Sequence, residues 1–547
     1  VQDFRNTKKR IIMNIKLKKV IFFGMMIITS LLVVSCIDDL NTEPLDKDVL
    51  TPNNVFASDT AYLQLLAKCY AGFSVTGQQG PAGMPDVLTG DEGESHYLRQ
   101  VWMAQELTTD EAVVGWNDKT IKDFHYHTWS ASDVFIAGLY NRIMFEVAMC
   151  NEFVRRTEGM DEYKVHAAEA RFLRALSYWY AMDFFANPPF VTEDDEPGAF
   201  FPEQINREDL FAYIESELLE IKNVMSEPGM ADYGRADKAA AWALLAKLYL
   251  NAEVYIGEPK YTECITYCDS IFDAGYSLTP NYSHLFLADN HTQTNEIIFA
   301  IRHDGAATKS YGGTNYLIHA AIGGTMTNLL DNYGVSAGWG GLRTTKALIE
   351  KFDLNNDARA RTFQDASDAN ETQEAMVYIG DHTLEIEDIG IFEHGYGLVK
   401  FKNVLSNGEP ASSDEWTDTD WPVFRLADIY LMYAEAVLRG GQGGDIDQAR
   451  TYINDLRFRA YGDNSGDISL NDLTLDFILD ERARELYWEA HRRTDLIRFG
   501  KFTGGDYLWP WKGKVKEGTA TDDKYKLFPI PASDLSANPN LVQNPGY

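Results

Sequence analysis

Apolar positions along this chain keep a helical register over long distances. Val165, Ala168, Phe172, Leu176 and Trp179 recur at three- and four-residue steps, and Ala241, Leu244, Leu248, Ala252 and Tyr255 do the same. Each run predicts an amphipathic helix with one buried stripe. Antiparallel partners are expected at 207–225 for the first and 260–274 for the second. A third pair, 424–439 with 445–460, is expected across the turn Gly440-Gly441-Gln442-Gly443-Gly444. Ala243, Ala246, Ala434, Ala436 and Ala449 sit where small side chains let paired helices approach closely. This is the logic of tetratricopeptide units, which bury their faces only by stacking on one another. The fold expected is mainly α: tetratricopeptide-like helix pairs forming a scaffold, with irregular loop and short-strand regions carrying the ligand site.

Two stretches break the register. Residues 73–131 and about 277–423 are rich in Gly, Asn, Asp, Thr and aromatics, with short runs such as Glu296-Ile297-Ile298-Phe299-Ala300-Ile301. They read as loops and small strands laid over the helices, where function tends to concentrate. Helical signal recurs on both sides of the longer insert, so 56–547 is expected to be one discontinuous domain, with scaffold at about 56–72, 132–276 and 424–502. The tail, from Leu527-Phe528-Pro529-Ile530-Pro531 to Asn544-Pro545-Gly546-Tyr547, cannot be helical through its prolines and reads as an extended wrap.

The N-terminal pattern is different again. Lys16, Lys18 and Lys19 precede an almost wholly apolar run from Val20 to Val34, and Ser35-Cys36-Ile37-Asp38-Asp39 follows. A basic segment, an apolar segment short for a membrane span and a small residue before a cysteine make a lipoprotein signal, with Val33-Val34-Ser35-Cys36 as its lipobox. The expectation is that residues 1–35 are removed, 1–12 being upstream translation, and that Cys36 carries lipid. Residues 36–55 then serve as a polar tether, and function is to be sought outside the cytoplasm.

Charge narrows the partners. The chain carries a net charge of -33, and residues 1–35 hold seven Lys or Arg against one acid, so the remainder is more acidic still. No basic footprint for nucleic acid is present, and neutral partners are favoured. Cys69, Cys150, Cys264 and Cys268 show no disulfide-framework or zinc spacing and read as small core residues. Cys264 and Cys268 lie one helical turn apart, but no His or Cys cluster completes a site. His125 and His127 would point the same way on a strand, without an evident third ligand. Chance carboxylate pairs such as Asp91-Glu92-Gly93-Glu94 are weak signals for a glycosidase. There is no nucleophile elbow, phosphate loop or zinc-protease helix. No cofactor and no metal ligand set is assigned. The run from Glu481 through Glu485 and Glu489 to Arg492-Arg493 alternates in sign and reads as ion pairing along a helix inside the scaffold.

The aromatic residues of the irregular regions are more suggestive: Trp102, Trp116, Tyr126 and Trp129 in one, Tyr311, Tyr316, Tyr333 and Trp339 in the other. Rings beside glycines, as in Tyr311-Gly312-Gly313 and Gly338-Trp339-Gly340-Gly341, can face solvent with little steric cover. A pyranose stacks its apolar C–H face on such a ring. Core packing remains the ordinary reading for any single ring.

Together these stretches resemble the RagB/SusD family of surface glycan-binding lipoproteins. The resemblance rests on Arg171-Phe172-Leu173-Arg174-Ala175-Leu176, Gly234-Arg235-Ala236-Asp237-Lys238-Ala239-Ala240, Phe424-Arg425-Leu426-Ala427-Asp428, Arg492-Arg493-Thr494-Asp495-Leu496-Ile497-Arg498-Phe499-Gly500 and Phe528-Pro529-Ile530-Pro531. Asp91-Glu92-Gly93-Glu94-Ser95, Thr109-Asp110-Glu111, Tyr311-Gly312-Gly313 and Gly338-Trp339 place it nearest the starch-binding branch. The resemblance implies a non-enzymatic site for starch or maltooligosaccharide, with Arg99 as hydroxyl donor and Trp116, Tyr311 and Trp339 as an aromatic arc. Lys119 stands where that branch has an asparagine, with Asn117 nearby. The resemblance further implies an outer-membrane, lipid-anchored position, on the cell surface, and delivery to a SusC-like TonB-dependent transporter. Some relatives carry calcium; Asp289, Asp418 and Asp420 match candidate positions, with His291 where an oxygen ligand is expected. Another neutral glycan such as a β-glucan, a surface glycoside hydrolase and a protein-binding adaptor remain the alternatives.

Overall fold

In the computed structural model the described residues are Met13, Lys19, 58–89, 93–195, 198, 200–364 and 373–547. Leu63–Tyr547 makes one compact unit, and of Val1–Tyr62 only Met13, Lys19 and 58–62 are described. The lipidation expected at Cys36 and, apart from Met13 and Lys19, the signal before it lie outside the described residues.

The architecture is mainly helical. Its long helices start where the sequence supplies a cap. The Asp133 carboxylate accepts from the amides of Phe135 at 2.9 Å and Ile136 at 3.1 Å to open the helix Val134–Arg156. Asp237 does the same for Lys238–Leu250, and Asp445 for Ile446–Tyr461. Each satisfies amide groups that a helix start leaves unpaired. Gly462, at φ 75°, ends the last of these in the left-handed region.

Lys164–Phe185 packs between Val134–Arg156 and Arg207–Ile221, and Lys238–Leu250 packs on Tyr261–Phe272. Tyr261–Phe272 also lies against Leu426–Leu438, which packs on Ile446–Tyr461. Helices on either side of the long insert therefore form one stack. All five alanines expected at close approaches are fully buried. The insert is closed at its base by antiparallel pairing of Ile297–Ile301 with Trp421–Arg425, in which Ile297 faces Arg425 and Ile301 faces Trp421.

Three expectations need correction. The stretches taken as irregular contain helices, including Tyr97–Glu106 and Gly313–Ala321, every residue of which is buried. With no solvent face there is no amphipathic stripe to read. His125 and His127 are not on a strand: His125 lies in the last turn of the short helix Ile121–Tyr126, its two ring nitrogens facing the carbonyls of Leu107 and Pro510, and His127 caps that helix. The charged run after Glu481 is not one helix: Leu475–Leu486 stops, Trp488 and Ala490 take positive φ of 61° and 64°, and Arg492–Arg498 begins anew.

That break builds a buried ionic junction. Arg425 reaches Glu489 and Glu485 at 2.7 Å and Glu296 at 2.9 Å. Arg359 reaches Asp357 and Glu481 at 2.7 Å, and Lys400 reaches Glu489 at 2.6 Å. Nearby, Arg482 joins Asp428 and Asp495 while Arg492 holds Asp110. Such charges are tolerated in a dry interior only when paired and hydrogen-bonded. The proline-rich tail wraps as expected, its Phe528 packing on Phe124, Trp129, Phe184 and Phe185, with one short helix, Ala532–Ala537.

Candidate functional site

Two strands of three residues bring the site together. Ala112–Val114 pairs antiparallel with Leu342–Thr344, and the ladder continues as the Gly115 amide donates to the Gly341 carbonyl at 2.9 Å. Trp116, just past the first strand, then meets Trp339, just before the second. Its indole N–H donates to the Trp339 carbonyl at 3.4 Å. A Cβ on Gly341 would fall 2.4 Å from the Trp116 ring, so this close approach requires glycine.

Trp339 is set by the helix Gly313–Ala321. The amides of Trp339, Gly340 and Gly341 donate to the carbonyls of His319, Ile322 and Ala320 at 2.7, 2.8 and 2.8 Å. Tyr311 precedes the same helix and lies edge-on to Trp339, centroids 6.2 Å apart at 61°. Trp416 supports its other side at 5.2 Å. A Cβ on Gly312 or Gly313 would strike the buried rings of His96 or His303, at 2.0 and 2.1 Å respectively, which explains the glycine pair after Tyr311. Burial lowers both imidazole pKa values, His303 to about 4, so both rings stay neutral near pH 7.

Arg99 enters from the first turn of Tyr97–Glu106, where the His96 ring accepts from its backbone amide at 3.4 Å. Its guanidinium lies over the Tyr316 ring, 4.5 Å from the centroid, and its Nε has no protein hydrogen-bond partner. Tyr316 also meets Trp116 edge-on at 6.1 Å, so one fully buried tyrosine positions two of the site residues.

The result is an open cavity of about 820 Å³ lined by Arg99, Trp116, Asn117, Tyr311 and Trp339, together with Glu94, Asp118 and three glycines. The structure thus brings together Arg99, Trp116, Asn117, Tyr311 and Trp339. It does not bring Lys119, which is exposed and outside the lining. Asn117 is exposed at the cavity's edge, where the Lys122 Nζ donates to its Oδ1 at 2.7 Å. The cavity offers flat apolar rings, one guanidinium and carboxylate and amide oxygens, a set suited to a neutral polyhydroxylated ligand.

The residues 295–547 match the model of the SusD family. Over 94% of its length the chain is 37% identical to the Starch-binding protein SusD of Bacteroides thetaiotaomicron, of which 96% is covered. This chain belongs to the SusD family. Among solved structures, this SusD-family chain shares its fold with surface glycan-binding protein A of Bacteroides thetaiotaomicron, with TM-score 0.68 and 23% identity, covering 90% of this chain and 100% of that one. The same protein in complex with laminarihexaose aligns with TM-score 0.66 and 21% identity, over 89% and 99% of the two chains.

Around this cavity, sequence reasoning missed the residues that hold the rings from behind. His319 stacks beneath Trp339 with centroids 4.9 Å apart at 17°. Its Nδ1 lies 2.7 Å from the Ala337 carbonyl and its Nε2 3.1 Å from that of Glu415, so the ring sits between two loops behind Trp339 and its one N–H, when neutral, donates to one of them. Burial lowers its pKa. A histidine inside a glycine- and aromatic-rich stretch was the available signal. Trp102, Trp129 and Tyr333 prove to be core, while Trp116, Tyr311 and Trp339 are half-buried.

The candidate calcium carboxylates act as loop staples. Asp289 accepts from the Ser406 amide and hydroxyl at 2.9 and 2.6 Å. Asp418 accepts from the amides of Gly305 and Ser412, both at 2.7 Å. Asp420 accepts from the His303 amide at 2.7 Å, and burial pushes its carboxyl up to about 7. No cluster of metal-ligating atoms among the described residues includes them. Of the acids considered for catalysis, Glu94 lines the cavity, while Asp91 and Glu92 lie outside the described residues. Among the described residues no helix is long and apolar enough to cross a membrane.

Proposed function

We propose that this protein is a non-enzymatic binder of starch and related α-glucan oligosaccharides. The observation that carries the reading is the arc of Trp116, Tyr311 and Trp339 around one open cavity with Arg99 at its edge, in a chain 37% identical to a protein named for starch binding. The rings take the C–H faces of successive glucose units, Arg99 donates to their hydroxyls, and Asn117 and Asp118 accept from them. In this reading the domain 56–547 is held by lipid on Cys36 at the outer membrane, on the cell surface, and passes its glycan to a SusC-like TonB-dependent transporter.

Magnitudes support weak capture. A ring covering roughly 80 Å² of sugar contributes about 2 kcal/mol at ~25 cal/mol per Å², so three contribute on the order of 6. Rigid-body association costs at least about 4 kcal/mol. With hydrogen bonds added, binding falls between about millimolar and high micromolar, and multivalency along a polymer raises the apparent affinity. Weak, reversible binding suits a protein that passes its ligand on.

The test is migration of protein lacking residues 1–35 in native gels containing amylopectin, laminarin, inulin or no glycan. Retardation by amylopectin is expected, and the triple variant Trp116→Ala, Tyr311→Ala, Trp339→Ala should migrate as in the blank gel while keeping the parent's circular dichroism. Full retention by a folded triple variant would sink the site. A β-glucan is the second reading, because a protein of this fold was solved with laminarihexaose; retardation by laminarin alone would establish it. Release of reducing ends from starch by purified protein, abolished by Glu94→Gln, would instead make the protein a hydrolase.

A further inference from the structure

Cys69 and Cys150 are far apart in sequence and lie on different helices, Asp59–Ser74 and Val134–Arg156. Both are fully buried. The fold sets them against Glu146, one turn before Cys150, and the ligand-capable atoms of the three lie within 4.8 Å of one another. Cys150 Sγ is 3.5 Å from Glu146 Oε1, while Glu146 Oε2 is buried without a hydrogen-bond partner. A Cβ at Gly72 would sit 1.9 Å from that oxygen, so the carboxylate's place depends on a glycine in the facing helix.

We propose that Cys69, Cys150 and Glu146 form a buried structural site for a thiophilic divalent cation, zinc foremost. Zinc binds thiolate at about 2.3 Å and carboxylate at about 2.0–2.2 Å, which puts neighbouring ligands of a tetrahedron roughly 3.5 Å apart or slightly more. The observed Sγ–Oε1 separation meets that spacing. The unpartnered Oε2 allows the carboxylate to bind through both oxygens, completing four donors from three residues. Two thiolates and a carboxylate carry one negative charge more than the cation neutralises; Lys68, Arg142 and Asp86, which pairs with both, also act on Glu146, and together these three neighbours carry one net positive charge. Thiolate donors select zinc over calcium or magnesium.

Burial raises the Glu146 carboxyl to about 8 and the Cys150 thiol well above its usual value. Thiolate and carboxylate donors hold a cation only when deprotonated, so uptake of the ion releases protons. Because the three groups are closed from solvent, the ion enters as the helices close, during folding.

The experiment is refolding of the full chain from denaturant with ZnCl₂ or with EDTA, then desalting and measuring metal content, thermal transition and intact mass. One zinc per chain and a higher transition than the EDTA sample are expected. Cobalt refolding should add thiolate charge-transfer absorption in the near ultraviolet, and Glu146→Gln, which keeps the side-chain volume, should weaken retention while keeping that band. Cys69→Ser with Cys150→Ser should remove both. Absence of zinc with identical transitions would overturn the proposal. So would an intact mass lighter by two hydrogens with Cys69 and Cys150 linked, which would make the pair a disulfide.

Discussion

The ionic junction around Arg425 and the cavity around Trp339 are both assembled from distant segments, yet they treat polar groups in opposite ways. At the junction Arg425 meets carboxylates of Glu296, Glu485 and Glu489, and Arg359 meets Asp357, Glu481 and Glu485. In the cavity Arg99 and three half-buried rings line open space. A closed network locks the helices on either side of the insert. An open one leaves contacts to be completed by a ligand.

Breaking the junction should have the largest effect. Arg425→Met leaves buried carboxylates unpaired and should cost about 3–5 kcal/mol of stability, read as a lower urea midpoint. Native-gel retardation by glycan should persist in the fraction that stays folded.

Acid should act on the same region. Burial raises the carboxyls of Asp110, Glu481 and Asp495, but Arg492, Arg359 and Arg482 respectively more than reverse this, holding each at about 2. These depressed values contribute stability that is present above the unfolded pKa near 4 and is lost as pH falls toward about 2, on the order of 2 kcal/mol each. Burial holds Glu111 and Asp420 at about 7, and these act with the opposite sign. Their penalty is relieved as pH falls from about 7 toward the unfolded value near 4. Buried neutral imidazoles, His303 and His125 held at about 4, lose stability over the same window, so thermal melting should change little on mild acidification and drop steeply below about pH 4. A monotonic fall from pH 8 would contradict this balance.

The cavity responds more gently. His319→Ala removes the stack beneath Trp339 and should weaken glycan binding by about 1 kcal/mol, near fivefold, with an altered tryptophan emission. If affinity held while only stability fell, His319 would be a packing residue and not a positioning one. Lys119→Ala should change affinity by no more than about twofold, as expected of an exposed side chain outside the lining; a tenfold change would place Lys119 against the ligand.

How much of this was legible varied with physical setting. The helices Lys164–Phe185 and Lys238–Leu250 were readable because buried and exposed positions, or alanine-rich close approaches, repeat at helical spacing. Tyr97–Glu106 was not, because polar Gln100, Gln105 and Glu106 are buried along with its apolar residues. Composition and glycine placement pointed only to aromatic-rich loops. The family resemblance named Arg99, Trp116, Tyr311 and Trp339, which line one cavity, and also Lys119, which does not. Trp102 and Trp116 are the same residue type in the same stretch, but one is core and the other a platform. Cysteine spacing drew attention to Cys264 and Cys268, whereas the pair that meets an acid is Cys69 with Cys150.

By itself the sequence determined the helical class, the stacking of helix pairs, the acidity that disfavours nucleic acid and the extended tail, because local periodicity, charge and proline geometry act within a few residues. Tertiary structure alone decided which rings face solvent, which histidine supports Trp339, which charges pair and which thiols converge. Those outcomes depend on two three-residue strands and a broken helix that bring distant segments into contact, and no local pattern encodes such a meeting.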